Sequence, residues 1–269
     1  MNKKTEILEI TENNRLAWDA SAFHHRANPC WERLKAGFTD PEFSTFDQTL
    51  TTILTGLPIK GQSVVQIGCN NGRELLSTMS LGARSGLGID QSKEFIEQAN
   101  ELTAIARRDC KYLVSNIYDL PADTPRNFDI ALITIGVLNW MPDIELFFDA
   151  VSGLLRTSGK LVIYETHPFL EMFDPEVKDP YTPVNSYFSK VPYVSERAIV
   201  YDGNDPSAVP ASYWFNHRFS EIINACINAD LCIDSVAEYP HSNRETEYDI
   251  YKNQKAQLPM CYTLIAHKT

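Results

Sequence analysis

Apolar and polar positions along the chain follow three different rhythms. Over residues 1–60, Leu16, Trp18, Phe23, Trp31, Leu34 and Phe38 recur at roughly helical spacing, interrupted by Pro29 and Pro41, which predicts a helical segment ahead of the core. From Ser63 onward, short apolar runs alternate with amphipathic stretches, the pattern of βαβ units around a parallel sheet. The runs at 64–67, 85–89, 111–114, 128–135 and 160–165 read as strands, and 73–80, 93–107 and 144–155 as the helices between them. Between 166 and about 218 the rhythm is lost. Prolines 168, 175, 180, 183, 192, 206 and 210 stand there among many aromatics, which suits an ordered insertion better than a flexible linker, because disordered segments are aromatic-poor. The periodicity then returns, with a helix at 219–229 and strands at 231–237 and 260–266. The expected organisation is a cap or lid over 1–60 and an α/β core over 61–269 that carries the insertion 166–218.

Composition narrows the function classes. Of 269 residues, 43% are hydrophobic and 22% charged, enough to bury a core without disulfides or metal. The formal net charge of -11 repels a polyanion, since nucleic-acid affinity comes largely from Lys and Arg against phosphates. The one dense basic cluster, Arg107-Arg108 with Lys111, sits among acids and reads as a solvated surface. Cys30, Cys69, Cys110, Cys226, Cys232 and Cys261 form no Cys-x-x-Cys pair and no Cys/His spacing for zinc, so reduced thiols and no metal are expected. Met1-Asn2-Lys3-Lys4 opens no apolar leader, and no run reaches the ~18 apolar residues of a membrane span. A cytoplasmic protein with no membrane and no nucleic-acid partner is the expectation.

The most informative segment is Val64-Val65-Gln66-Ile67-Gly68-Cys69-Asn70-Asn71-Gly72-Arg73-Glu74-Leu75, a strand running through a glycine-containing turn into a helix. Glycines permit close approach of a ligand to the backbone, and the helix start offers free N–H groups to an anion. Eighteen residues after Gly72, Gly88-Ile89-Asp90 puts a carboxylate at the end of the second strand, suited to a ribose diol. A dinucleotide site is the competing reading, but its Gly-x-Gly-x-x-Gly turn is absent.

At these residues the chain resembles the class I S-adenosylmethionine (SAM)-dependent methyltransferases, whose first motif is an acidic residue followed by Gly-x-Gly-x-Gly. Gly68 and Gly72 match the outer glycines, while Gln66 stands at the acidic position and Asn70 at the middle glycine. Phe128-Asp129, Ile135-Gly136-Val137-Leu138-Asn139-Trp140 and Leu155-Arg156-Thr157-Ser158-Gly159-Lys160-Leu161 continue the likeness, which covers roughly 60–165. The resemblance implies a doubly wound, Rossmann-like, seven-stranded and mostly parallel sheet with the last strand antiparallel. It also implies SAM as cofactor, held by Gly68, Asn70 and Gly72, by Asp90 at the ribose, by Asn116 and Ile117 at the adenine, and by Gln91 and Ile135.

In such sheets ligands sit outside the carboxyl ends of the strands. Tyr164-Glu165-Thr166-His167-Pro168 ends the fifth strand, so Glu165 or His167 is a candidate proton acceptor, with Tyr164 and Asn139 beside them; the alternative is that they hold the insertion by hydrogen bonds. Trp140 is a candidate for a cation–π contact with the sulfonium or for plain packing. Tyr181, Tyr187, Tyr193, Tyr213, Trp214 and His217 are candidates for the acceptor pocket. Trp18, His24, His25 and Trp31 are candidates for a lid, with at most one of the adjacent histidines facing the site. Three functions fit: O- or N-methylation of a small metabolite, another SAM-consuming reaction on the same scaffold such as intramolecular cyclisation to azetidine-2-carboxylate, and SAM binding without catalysis.

Overall fold

The protein is described by a computed structural model over residues 2–200, 207–243 and 246–269. Pro206 of the insertion therefore lies outside the described residues.

The chain begins with α1 (Lys3–Ala27) and α2 (Pro29–Gly37), joined by Asn28, whose backbone N–H closes the first helix on His24 O at 3.1 Å. Its side chain accepts from Cys30 N at 2.8 Å, and Pro29 occupies the first turn of α2, where a missing N–H does no harm. Asp47 caps α3 (Gln48–Gly56) through Leu50 N at 2.8 Å.

The core follows as β1 (Ser63–Ile67), α4 (Arg73–Ser80), β2 (Ser85–Asp90), α5 (Lys93–Ala106), β3 (Cys110–Val114), β4 (Phe128–Thr134), α6 (Ile144–Leu154) and β5 (Leu155–Thr166). The insertion holds β6 (Tyr193–Arg197) and β7 (Ala208–Trp214), and the chain closes with α7 (Phe219–Asn228), β8 (Leu231–Tyr239) and β9 (Cys261–Lys268). Among the described residues the strands form a seven-stranded sheet in the order β3-β2-β1-β4-β5-β9-β8 and a separate pair β6-β7. β1, β2, β3, β4 and β5 pair parallel, and β9 enters antiparallel between β5 and β8. The order reverses between β1 and β4, so the crevice expected for a ligand opens at their carboxyl ends.

Strand parity assigns each side chain to a layer. Val64, Ile130, Leu132, Val162 and Tyr164 pack on one face with Leu50, Leu54, Leu75, Leu76 and Leu102 of α3, α4 and α5. Val65, Ile67, Ala131, Ile133, Leu161 and Ile163 pack on the other with Phe147, Phe148 and Val151 of α6 and Ala225 and Cys226 of α7. Both faces being covered explains the continuous apolar runs that marked the strands in the sequence.

Two features depart from the pattern. β5 starts at Leu155, earlier than 160, because Leu155 pairs with Phe128 across an irregularity in the β4 register. The β6-β7 pair was not predicted at all. β6 is mostly exposed, and the half-buried β7 packs on α1 rather than on the main sheet, so the pair falls outside the core pattern.

α1 binds through polar groups. Its buried positions Ile7, Thr11, Asn14, Ala17, Ser21 and Ala22 recur at helical spacing, but half of them carry hydrogen-bonding side chains. Asn14 accepts from Tyr213 N at 2.7 Å and donates to Tyr213 O at 3.0 Å, filling the place of a neighbouring strand residue. Ser21 Oγ accepts from Ile199 N at 2.9 Å, and Gln98 Nε2 donates to Ala22 O at 3.0 Å. Replacing Asn14 with Leu strands both backbone groups of Tyr213; the expected loss is roughly 1–3 kcal/mol in urea denaturation, against no change for Glu9→Ala on the exposed face. Equal midpoints for the two variants would show that the helix is held by something else.

Candidate active site

The turn after β1 is wound by three residues in the left-handed region, Gly68 (φ 63°), Asn70 (φ 48°) and Gly72 (φ 74°). A Cβ on Gly68 would lie 2.7 Å from Val137 Cγ2, and one on Gly72 would run into the Tyr112 ring, 2.8 Å from Cε1. Asparagine substitutes for the middle glycine because its short amide tolerates this conformation and its Oδ1 accepts from Asn71 N at 2.8 Å. Gln66, at the position where the family carries an acid, donates through Nε2 to Thr134 Oγ1 at 3.2 Å and ties the end of β1 to β4.

Asp90 ends β2 beside this turn. Its Oδ2 accepts from Asn70 N at 2.8 Å and its Oδ1 from Ser92 N at 2.9 Å, while burial raises the carboxyl pKa above its usual value. An ionised carboxylate has about four acceptor sites, so two such bonds leave room for a diol. The same arrangement recurs across the crevice. Glu165 ends β5, is 1% exposed, and accepts from Gly136 N and from Leu138 N at 3.2 Å, which clamps the turn after β4. In that turn Ile135 (φ 35°) and Gly136 (φ 83°) are both left-handed; for a β-branched residue this costs on the order of 1–3 kcal/mol, which the clamp offsets.

Between the two turns lies a cavity of about 550 Å³. Gly68, Asn70, Asp90 and Gln91 line one end, Asn116, Ile117 and Ile135 its walls, and Trp140 and Trp214 the end under the insertion. α1 roofs it: Trp18 stands edge-on to Trp140 with centroids 5.4 Å apart, and Trp140 edge-on to Trp214 at 4.9 Å. The roof is tied down where Ser92 Oγ donates to Asp19 Oδ1 at 2.5 Å and Asn116 Nδ2 donates to Thr11 Oγ1 at 2.6 Å.

A family profile described as a methyltransferase domain matches residues 65–163. Among curated proteins, the chain is similar to a ribosomal protein L11 methyltransferase from Tolumonas auensis, 28% identical over 129 residues that cover 48% of this chain and 41% of that protein. It is also similar to a ubiquinone biosynthesis O-methyltransferase from Xanthomonas euvesicatoria, 29% identical over 114 residues, 42% of this chain and 47% of that protein. The chain thus spans less than half the length of either. The fold is that of a SAM-dependent methyltransferase from Mesorhizobium loti (TM-score 0.56, 18% identity, 81% of this chain and 96% of that chain). It is also that of geranyl diphosphate C-methyltransferase from Streptomyces coelicolor (TM-score 0.55, 12% identity, 82% and 77%), solved with S-adenosyl-L-homocysteine (SAH). Residues 65–163 thus match a methyltransferase domain, carried on a sheet with the fold of SAM-dependent methyltransferases.

The residues present fit that domain's cofactor. The Gly68 cradle has no space for a side chain, Asp90 offers carboxylate oxygens at the crevice, and Ile89, Phe95 and Ile117 supply apolar walls between the two turns. Of the cofactor residues expected from sequence, Gly72 shapes the turn and does not itself line the cavity; the others do. Asn116 lines it with its amide already engaged, since Oδ1 accepts from Tyr118 N at 3.1 Å and Nδ2 serves Thr11.

The catalytic candidates at the end of β5 do not meet there. Tyr164 shares the parity of Val162, faces α3 and donates to Asp47 Oδ2 at 2.6 Å, on the opposite side of the sheet. Glu165 is occupied by the β4 turn and lies off the cavity wall. His167 accepts through Nδ1 from Phe169 N at 3.1 Å and faces Glu238 across 2.9 Å from Nε2. Asn139 donates to Phe215 O at 2.9 Å, joining the β4 turn to the insertion.

The acceptor-pocket candidates divide. Trp140 and Trp214 line the cavity, as does Tyr193. Tyr181 is exposed and packs on Tyr251, Tyr187 accepts from Phe219 N at 2.9 Å, Tyr213 pairs with Asn14, and His217 bonds Met141 O at 2.7 Å; none of these four reaches the wall. From the lid, Trp18 is on the wall, Trp31 is buried in the α2–α3 layer, and His24 and His25 lie off the cavity, with His25 held at Ile199 O. The expectation missed Glu171, Asn185, Glu247 and Tyr248, which come to the cavity from the insertion and from the turn 246–251. Among the described residues no cluster suits a metal ion, and no helix is long and apolar enough to cross a membrane.

Two outcomes follow for stability. Glu165→Gln exchanges one acceptor for a donor facing a backbone N–H, so unfolding free energy falls by roughly 1–3 kcal/mol; unchanged stability with turnover abolished would return Glu165 to a catalytic role. Burial lowers the pKa of both His167 and His217 below the ordinary 6.5. The unfolded chain then takes up protons that the folded chain refuses, so Tm declines as pH drops through about 6.5 towards the depressed folded values. The His167→Gln/His217→Gln double variant flattens that decline in a Tm-against-pH series.

Proposed function

We propose that the chain transfers the methyl group of SAM to a small-molecule acceptor, at oxygen or nitrogen. The observation that carries this reading is the single cavity running from Gly68, Asn70 and Asp90 at one end to Trp140, Trp214 and Tyr193 at the other. Apart from Trp140, the acceptor end is built from α1, the insertion and the turn 246–251, all outside the matched residues 65–163, so neither relative's acceptor transfers to this chain by similarity. A cavity of about 550 Å³ shared with the cofactor suits a metabolite, and the net charge of -11 disfavours a nucleic acid.

Bound there, SAM supplies a methyl carbon made electrophilic by the adjoining sulfonium. Asp90 accepts from the ribose hydroxyls, and the Gly68 turn admits the amino-acid end against its backbone. Ile89, Ile117 and Phe95 flank the adenine, and Trp140 offers its ring to the positive sulfur. An acceptor oxygen or nitrogen held in line with that carbon would form the new bond as the carbon–sulfur pair stays on sulfur, and would lose its own proton to solvent. Most of the rate comes from holding the nucleophile in line and excluding water, which the tryptophan wall and the α1 roof provide.

Calorimetry with SAH checks the cofactor half: Asp90→Ala weakens binding at least ~10-fold, about 1.4 kcal/mol. Mass spectrometry checks the chemistry. SAH accumulating only when an acceptor is supplied supports transfer, whereas methylthioadenosine formed from SAM alone overturns it in favour of cyclisation.

A further inference from the structure

The cofactor end of the cavity carries two opposite charges side by side. Arg73 and Glu74 follow Gly72 directly, open α4, and both line the cavity with Gly68 and Asn70. Side chains in the first turn of a helix lean back towards its N-terminus, so both reach over the turn after β1 rather than along α4. Arg73 Nε donates to Glu74 Oε1 at 3.1 Å, and the Glu74 side chain is 8% exposed. Glu74 also stands near enough to Cys69, inside the turn, for its charge to help raise the thiol pKa.

The distribution of charge along the wall gives this pair a ligand. Among the described lining residues Arg73 is the single cation, and the remaining charged side chains are all acids. SAM and SAH each carry one carboxylate, which on leaving water needs a cation or N–H donors. Gln66, at the position where the family's first motif carries an acid, is neutral, bonded to Thr134 and off the wall. Of the acids at this end, Asp90 is held by Asn70 N and Ser92 N at the end of β2, and Glu74 is the second, on α4.

An α-amino acid group is a zwitterion with its ammonium and carboxylate on one carbon. A guanidinium beside a carboxylate presents the same two charges in the opposite order. Neither side chain has to be unpaired for the match, because a guanidinium has several N–H donors and a carboxylate several acceptor sites, so the Arg73–Glu74 bond persists while each takes a ligand group. Charges that alternate in sign in a crevice poor in water attract more strongly than in bulk solvent.

We propose that Arg73 and Glu74 together bind the amino-acid end of the cofactor, the guanidinium taking its carboxylate and the Glu74 carboxylate its ammonium. This rests on the SAM reading and deepens it: the Gly68 turn admits the chain, and the ion pair fixes which way the two charged groups point. The pair also separates SAM and SAH from methylthioadenosine, which has the same adenosine and no amino-acid group.

Calorimetry on the full chain, direct or by competition, tests this with four ligands: SAH, its decarboxylated form, its deaminated form and methylthioadenosine. Arg73→Gln is expected to weaken SAH and deaminated SAH at least ~10-fold and to leave decarboxylated SAH within ~3-fold of the unaltered chain. Glu74→Gln is expected to weaken SAH and decarboxylated SAH at least ~10-fold and to leave deaminated SAH within ~3-fold. Methylthioadenosine meets neither charge and keeps its affinity in both variants. The inference is overturned if SAH affinity is unchanged in either variant, or if a variant weakens the two truncated ligands alike. It is overturned as well if methylthioadenosine is lost along with SAH, since the pair then holds the turn rather than the ligand. An unaltered chain that binds none of the four sinks the SAM reading instead, and that failure is visible before any variant is made.

Discussion

A buried carboxylate at the end of a strand must find donors, and in this protein it finds them in the backbone of the turn that leaves the neighbouring strand. Asp90 at the end of β2 takes Asn70 N from the turn after β1, and Glu165 at the end of β5 takes Gly136 N and Leu138 N from the turn after β4. Each bond holds a turn in the left-handed region, at Asn70 and at Ile135-Gly136. Those two turns are the lips of the crevice, since β1 and β4 are the strands between which the sheet order reverses. The cavity is thus shaped by charge satisfaction as much as by packing. The two carboxylates then diverge: Asp90 fronts the cavity with acceptor capacity left for a ligand, whereas Glu165 is turned into structure.

Legibility in the sequence follows the range of the interactions involved. The core strands and helices were readable because each buries a local periodic pattern; Arg73–Ser80 and Ile144–Leu154 fall within a residue of expectation. The cofactor turn was readable because left-handed backbone demands particular residue types at fixed spacing. At the end of β5 the side chains divide for a definite reason. Tyr164, Glu165 and His167 have the composition of a catalytic cluster, but alternation along a strand sends Tyr164 to the α3 face, away from its neighbour. Applying the parity of Val162 and Ile163 to the residues that follow them would have removed Tyr164 from the cavity without a structure.

The acceptor end was legible only as composition. An aromatic, proline-rich stretch announced an ordered insertion, yet which rings reach the cavity depends on long-range contacts. Tyr213 and Trp214 are adjacent on β7, yet Asn14 holds the Tyr213 backbone while the Trp214 indole reaches Glu171. The α1 roof was hard to place for a related reason. Its inner stripe reads as polar because Thr11, Asn14 and Ser21 are spent on hydrogen bonds to distant backbone and to Asn116. A hydrophobic pattern detects burial by area, and this helix is held largely by matched donors and acceptors.

The same polar economy bears on how the chemistry proceeds. Tyr164, Glu165, His167 and Asn139 are all engaged in hydrogen bonds that join elements of the fold. Polar groups at the far end of the cavity come instead from Glu171 and from the turn carrying Glu247 and Tyr248, elements outside the matched residues 65–163. Burial raises the Tyr193 pKa, with Glu171 adding to the rise, so that hydroxyl stays protonated and donates to the Glu171 carbonyl at 3.5 Å rather than taking a proton. The turns that shape the Asp90 end of the cavity therefore belong to the sheet, and most of the other end to the insertion, the turn 246–251 and α1. Mutations in the two regions should affect SAH affinity and acceptor choice separately, because Trp140 and Trp214 are the main side chains placed to couple them.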